Sequence, residues 1–180
     1  MSYIWIEATN IASVQNNTPG LFSQNAANPT DFTLWIGGQK VSELDSLFIQ
    51  AVHNPLLRDS GAQSSCAITT NNKKNNHGRD HYMIPFFFGE DWTKVLPLVA
   101  LQYHDVEIRI KCRDGFTPGS TPKVWGNYVY LDTDERAFFT ENDHELLITQ
   151  TQYQLATKTD TDIDLSYFNH PVKSLHLVSG

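Results

Sequence analysis

The chain has 180 residues, of which 40% are apolar, 12% aromatic and only 18% charged, and its formal net charge is −7. That length suits one domain, or one with a short appendage, and a compact fold of this size hides about 70% of its extended-chain surface. The composition excludes a disordered chain. With no basic block beyond Lys73-Lys74, it also excludes direct binding to nucleic acid or to an anionic lipid surface through clustered cations.

Residues 3–8 (YIWIEA) read as a strand, and the Asn-, Pro-, Gly- and Ser-rich stretch 10–30 as a long loop. FTLWI (32–36) reads as a second strand, closed at Gly37-Gly38 by a turn that needs permissive backbone angles. In 42–57, Leu44, Leu47, Phe48, Ala51 and Val52 recur at helical spacing and predict an amphipathic helix packed on a sheet edge or end. Ser42 and Asp45 resemble its capping box. Pro55 is expected to push Asn54 out of helical geometry and end the helix near His53. Residues 58–81 read as an exposed loop, IPFFFG (84–89) as a short apolar strand and 89–92 as a turn.

LPLVALQYHDVEIRIKC (96–112) changes character partway. From Tyr103 on it alternates, with Val106, Ile108, Ile110 and Cys112 on one face and Asp105, Glu107, Arg109 and Lys111 on the other. A period of two predicts a strand with one dry and one wet face. The unbroken run at 96–102 should then be covered on both sides. Residues 113–122 form a turn cluster and VWGNYVYL (124–131) another aromatic strand. DTDERAFFTE (132–141) reads as a short helix, capped by Asp132 with Glu135 reaching back. Residues 144–155 and 171–178 read as further strands, separated by the polar loop 157–164. Seven or eight strands and one or two short helices predict an all-β fold, an antiparallel sandwich or jelly roll.

A search for chemistry finds little. His77 and His81 are four apart in HGRDH, but Gly78 argues against the helix that would let them share a metal. His104-Asp105 and His144-Glu145 are sequence neighbours, which point to opposite faces of a strand, so neither pair is a dyad. No H-x-H pair, nucleophile elbow or phosphate loop is present. The cluster Asp132, Asp134, Glu135 and Arg136 reads first as a capped helix start and only second as a cation site. Trp5, Trp35, Trp92 and Trp125 could form a sugar-stacking platform, but aromatics on sandwich strands are more often core. Cys112 reads as a buried thiol and Cys66 as a loop residue, a count that favours a reducing compartment over a disulfide framework. Asn16-Asn17-Thr18 is a formal glycosylation sequon followed by a proline. No secretory signal is visible in MSYIWIEATN, and no run reaches the ~18 apolar residues of a membrane span.

Six stretches in order carry a resemblance: WIGGQKV, IPFFFG, LPLVALQYHDVEIRIKC, YVYLDTDERAFF, HELLITQTQYQ and FNHPVKSLHL. Together they resemble the major capsid protein of the nucleocytoplasmic large DNA viruses, the group with iridovirus, phycodnavirus and mimivirus members. The resemblance implies two jelly rolls in tandem. It also implies a homotrimer forming a pseudo-hexagonal capsomer, with neighbouring capsomers or minor capsid proteins as partners and an internal viral membrane nearby. It places the protein in the virion, assembled in the host cytoplasm. On this reading residues 1–165 are the first roll without its usual N-terminal strands, and 166–180 open a truncated second roll. The chain then looks like a fragment, a truncated paralogue or a partial gene product. The expected role is structural, with no catalytic, cofactor-binding or metal residue, no cofactor, no small-molecule substrate and no direct nucleic-acid contact. The alternative is a jelly-roll module that binds carbohydrate or a receptor, and a small β-barrel enzyme ranks last.

Overall fold

The computed structural model describes residues 1–8, 30–56, 80–112, 122–154, 156 and 162–177. Among these residues six strands form two antiparallel sheets: β1 (Ile4–Ala8), β2 (Asp31–Ile36), β3 (Gln39–Asp45), β4 (Asp80–Ile84), β5 (Val106–Lys111) and β6 (Lys123–Gly126). One sheet has the order β4-β1-β6 and the other β3-β2-β5, so the central strands are β1 and β2. Alternation decides which face of each goes inward. Ile4 and Ile6 of β1 lie opposite Ile84 and Tyr82 of β4. Phe32 and Leu34 of β2 lie opposite Ile110 and Ile108 of β5. These faces meet, and the Phe32 and Tyr82 rings stack between the sheets at 6.0 Å. Phe86, Phe87, Phe88, Leu96 and Ile49 join the same core. The expected all-β jelly-roll sandwich is what the molecule shows.

The tightest local signal is the β2–β3 hairpin. Ile36 pairs with Gln39 across a two-residue loop, and Gly37 and Gly38 both have positive φ, 58° and 79°. That geometry fits the right-handed twist of the flanking strands and favours glycine strongly. At the other end of the hairpin the fully buried pair Thr30 and Ser46 close on each other. The Thr30 amide donates to Ser46 Oγ at 3.0 Å, and the Ser46 amide donates to the Thr30 carbonyl at 2.9 Å.

Several expectations are corrected. The helix predicted from Ser42 does not begin there: β3 continues to Asp45, burying Ser42 and Leu44 against β2. Asp45 is the cap, accepting from the Phe48 amide at 2.5 Å. The helical path is a single short turn, α1 (Ser46–Phe48), continued by a π-helical turn Ile49–His53 and a 3-10 turn Asn54–Leu56. The π turn does end at His53, but Asn54 keeps helical angles (φ −62°, ψ −41°) ahead of Pro55. The strand expected at 84–89 instead ends at Ile84, and Phe87–Gly89 is a 3-10 turn. It begins at Asp80, inside the segment read as loop.

The run 96–102 is not strand either. It winds through turns closed by Ala100→Pro97, Leu101→Leu98 and His104→Leu101 backbone bonds, so Leu98 and Val99 are half-buried rather than sandwiched. Cys112 is exposed, not buried, because β5 ends before it. The strand at 124–131 stops at Gly126. Residues 144–154 and 171–177 carry no strand ladder. The helix α2 (Thr133–Glu141) forms as expected: Asp132 accepts from the Asp134 amide, Glu135 Oε2 accepts from the Asp132 amide at 3.1 Å, and the capping box is complete. The calls on 10–29, 58–79 and 113–121, including Asn16, Cys66 and His77, fall outside the described residues.

A Cβ on Gly37 would come within 2.7 Å of His104 Nδ1 at positive φ, whereas a Cβ on Gly38 meets nothing. Gly37→Ala should therefore lower stability by roughly 1–3 kcal/mol, and Gly38→Asn by clearly less. Urea unfolding of both variants checks this, and equal losses would contradict it.

Candidate functional site

The titratable residues flagged by the sequence are scattered, and most are engaged locally. Asp132 and Glu135 are consumed by the α2 cap. His144 donates from Nε2 to the Phe139 carbonyl at 3.0 Å and packs against the Phe139 ring at 5.0 Å, finishing the end of the helix. His104 and Asp105 are exposed beside the β2–β3 turn, where the Asp105 carbonyl accepts from the Gly37 amide at 3.0 Å. His81 sits in β4 opposite Glu7. Among the described residues no three His, Cys, Asp or Glu side chains gather as a metal-binding group.

The tryptophans are not core residues, contrary to the first expectation for them, and they do not form one platform. Trp5 and Trp125 are cross-strand partners on the outer face of the β4-β1-β6 sheet, with centroids 6.2 Å apart. Trp125 Nε1 donates to Glu7 Oε2 at 2.9 Å. Trp35 lies on the outer face of the other sheet, covered by the Arg109 guanidinium at 4.2 Å. Trp92 is exposed on a 3-10 turn.

What the sequence did not flag is a number of exposed apolar side chains. In β6, Val124 sits opposite Ile6 on the inner face. Ile6 is 3% exposed, yet Val124 is 61% exposed. The sheet's inner face is thus uncovered at that edge. Exposure continues along the chain through Tyr128, Tyr130, Leu147, Tyr153 and Tyr167 to Leu177.

The segment after α2 runs beside the β3 edge without joining its ladder. Gln150 Nε2 donates to the Val41 carbonyl at 2.6 Å, and Thr151 Oγ1 donates to the Glu43 carbonyl. Glu90 anchors it further, accepting from Thr149 at 2.7 Å and from Lys94 at 2.5 Å. Near α2, Phe87, Leu96, Leu101, Phe139 and Ile148 line an open groove of about 420 Å³.

Two packed antiparallel sheets with few and short helices define the class, a jelly-roll protein. Comparison with known proteins gives the family. The family model described as "Major capsid protein N-terminus" matches residues 27–132. The chain belongs to the major capsid protein family. It is 35% identical over 114 residues to capsid protein 1 of Acanthamoeba polyphaga mimivirus, an alignment covering 53% of this chain and 19% of that protein. It is 39% identical over 99 residues to the major capsid protein of Pyramimonas orientalis virus, covering 51% and 25%. The major capsid protein of Paramecium bursaria Chlorella virus 1 aligns over 170 residues at 29% identity, covering 81% and 38%. The chain therefore spans well under half of the curated relatives it matches. A quasi-atomic model of the capsid of that Chlorella virus superposes with a TM-score of 0.61 at 25% identity, over 89% of this chain and 43% of that one. Four of the six sequence motifs begin inside the matched range, while HELLITQTQYQ and FNHPVKSLHL lie beyond it.

Burial alone would raise the Glu90 carboxyl. Hydrogen bonds from Lys94 and Thr149, with the charges of Lys94 and Lys173, outweigh it and hold the group below its ordinary 4.5. A depressed folded-state pKa contributes stability that is present above the unfolded value and lost as pH falls through the folded one. Glu90→Gln should therefore be less stable than the parent at neutral pH, and the two urea midpoints should converge in acid. A gap that stays constant down to pH ~3 would remove Glu90 from the acid response.

Proposed function

We propose that this chain is a structural piece of a large DNA virus capsid, the first jelly roll of a shell subunit that assembles through copies of itself into trimeric capsomers. Residues 1–165 are the roll and 166–180 the opening of a second. Its partners are two further copies and, in the shell, neighbouring capsomers or minor capsid proteins. Its place is the virion, built in the host cytoplasm, and its role is mechanical rather than catalytic. Membership of the capsid family supports the reading. The observation that carries it is the open inner face at β6, where Val124 is 61% exposed beside a neighbour at 3%.

A shell subunit supplies that cover from its own further domain or from a symmetry mate, and many modest contacts between identical copies then add up to a stable particle. Size exclusion with light scattering, and circular dichroism on the same peak, tests this. The expected result is a β-rich species of three chains. Charged substitution at Val124 and Tyr130 should dissociate it without loss of the β signal. A β-rich monomer that ignores those substitutions would count against assembly through this face.

A further inference from the structure

The groove beside α2 has walls of two origins. Ile36, Phe87, Leu96 and Leu101 line it from the sandwich, and Phe139 and Ile148 from the helix end and the segment after it. At about 420 Å³ it has the size of a small ligand cleft, a class that runs from about 300 to 1,000 Å³. Its polar rim is the end of α2. Thr140 Oγ1 donates to the Ala137 carbonyl at 2.9 Å, Asn142 Nδ2 to the Phe138 carbonyl at 2.8 Å, and His144 Nε2 to the Phe139 carbonyl at 3.0 Å. These bonds fix the rim before anything binds. They also spend the hydroxyl proton of Thr140, the ring N–H of His144 and one of the two Asn142 N–H groups. What is left for a ligand is mainly acceptors, joined by the Asp143 carboxylate, which lines the same groove.

The electrostatics of this end are one-sided. A helix C-terminus carries a partial negative charge that a Lys or Arg in the last turn ordinarily offsets. The last turn of α2 has no basic residue and closes on Glu141. Glu141, Asp143 and Glu145 are all exposed, each within about 7 Å of the next along the chain. Among the described residues no ion pair reaches them. The cations beside the walls in sequence, Lys40 next to Val41 and Lys94 before Leu96, are taken. Lys40 pairs with Glu43 at 2.6 Å and Lys94 with Glu90 at 2.5 Å. An apolar trough thus carries a rim rich in acceptors and in unpaired negative charge.

From this geometry we propose that the groove receives a segment of another protein in which a large apolar side chain stands beside a Lys or Arg. The apolar side chain lies against Phe87, Leu96 and Phe139, and the cation meets Asp143 and the C-terminal carbonyls of α2. Charge selects this occupant over the others. A second copy of this chain carries −7 itself, and anionic lipid headgroups would meet Glu141, Asp143 and Glu145 as like charges. The contact is separate from the three-fold assembly proposed above, since neither Val124 nor Tyr130 lines the groove.

Calorimetric titration of the full chain tests it. The probe is a capped peptide of two leucines flanked on each side by two lysines, and the control has glutamates in their place. The lysine peptide should bind and the glutamate peptide should not. Asp143→Lys and Glu141→Lys should each weaken binding by about tenfold, because an attractive charge becomes a repulsive one. Both positions are exposed, and a lysine at 141 suits the helix end, so circular dichroism should show the fold intact in both. Ala100→Trp, which fills the groove, should abolish binding. Equal binding of the two peptides, binding of neither, or binding indifferent to these substitutions overturns the proposal. Self-association that the lysine peptide dissolves and Asp143→Lys abolishes would assign the groove to a second copy, and overturns it too. A trimer that persists while the peptide fails to bind leaves the capsomer reading standing.

Discussion

Neither three-stranded sheet is a stable object alone, because a sheet this small needs a covered apolar face to hold its shape. The constraint on which the structure rests is that the inward faces of β1 and β2 must be buried by each other's sheets. The Phe32–Tyr82 stack is where that burial is most direct, and Ile4, Ile6 and Leu34 surround it. The aromatic cluster Phe86–Phe88 seals the same core, with rings 5.5 and 5.6 Å apart. Remove that mutual cover and the hairpin, the Thr30–Ser46 closure and the turns at 97–104 lose the surface against which they are positioned.

The parts of the fold that the sequence disclosed are those determined by neighbours in the chain. The Gly37-Gly38 turn, the Asp132–Glu135 capping box and the alternation of β5 each depend on a few adjacent residues, and each stands as read save that the alternation stops at Lys111, short of Cys112. The errors arise where a distant partner decides. Leu44 fits a helical face with Leu47 and Phe48, yet it also fits the inner face of a strand, and pairing with Phe32 settles the matter. HELLITQTQYQL has a strand's composition, but a strand needs a backbone partner, and here Gln150 and Thr151 touch β3 through side chains only. The exposure of Val124, Tyr130 and Leu147 was invisible for a related reason: pattern tells which residues are apolar, not which are covered. Six short motifs in fixed order disclosed the family because order over a long span is more specific than any one local match.

The polar chemistry of the described residues serves shape. His144 finishes a helix, Arg109 roofs Trp35 while bonded to Glu107, and Glu90 accepts from Thr149 while paired with Lys94. They hold neighbouring elements in fixed relative positions.

The register of the sheets also dictates an order in time. Strand β1 pairs with residues 80–84 on one side and 123–126 on the other, and β2 waits for 106–111 to complete its second ladder. Among the described strands only the paired β2 and β3 are adjacent in sequence. As a ribosome extends the chain, that hairpin is the one ladder of the described strands available until Ile84 has been made, and β1 has neither of its described neighbours through that interval. Folds dominated by such distant pairings are slow to form, since loop-closure entropy is lost before the contacts that reward it exist. An apolar strand left waiting for its partners is also the part of a nascent chain most open to capture by another chain.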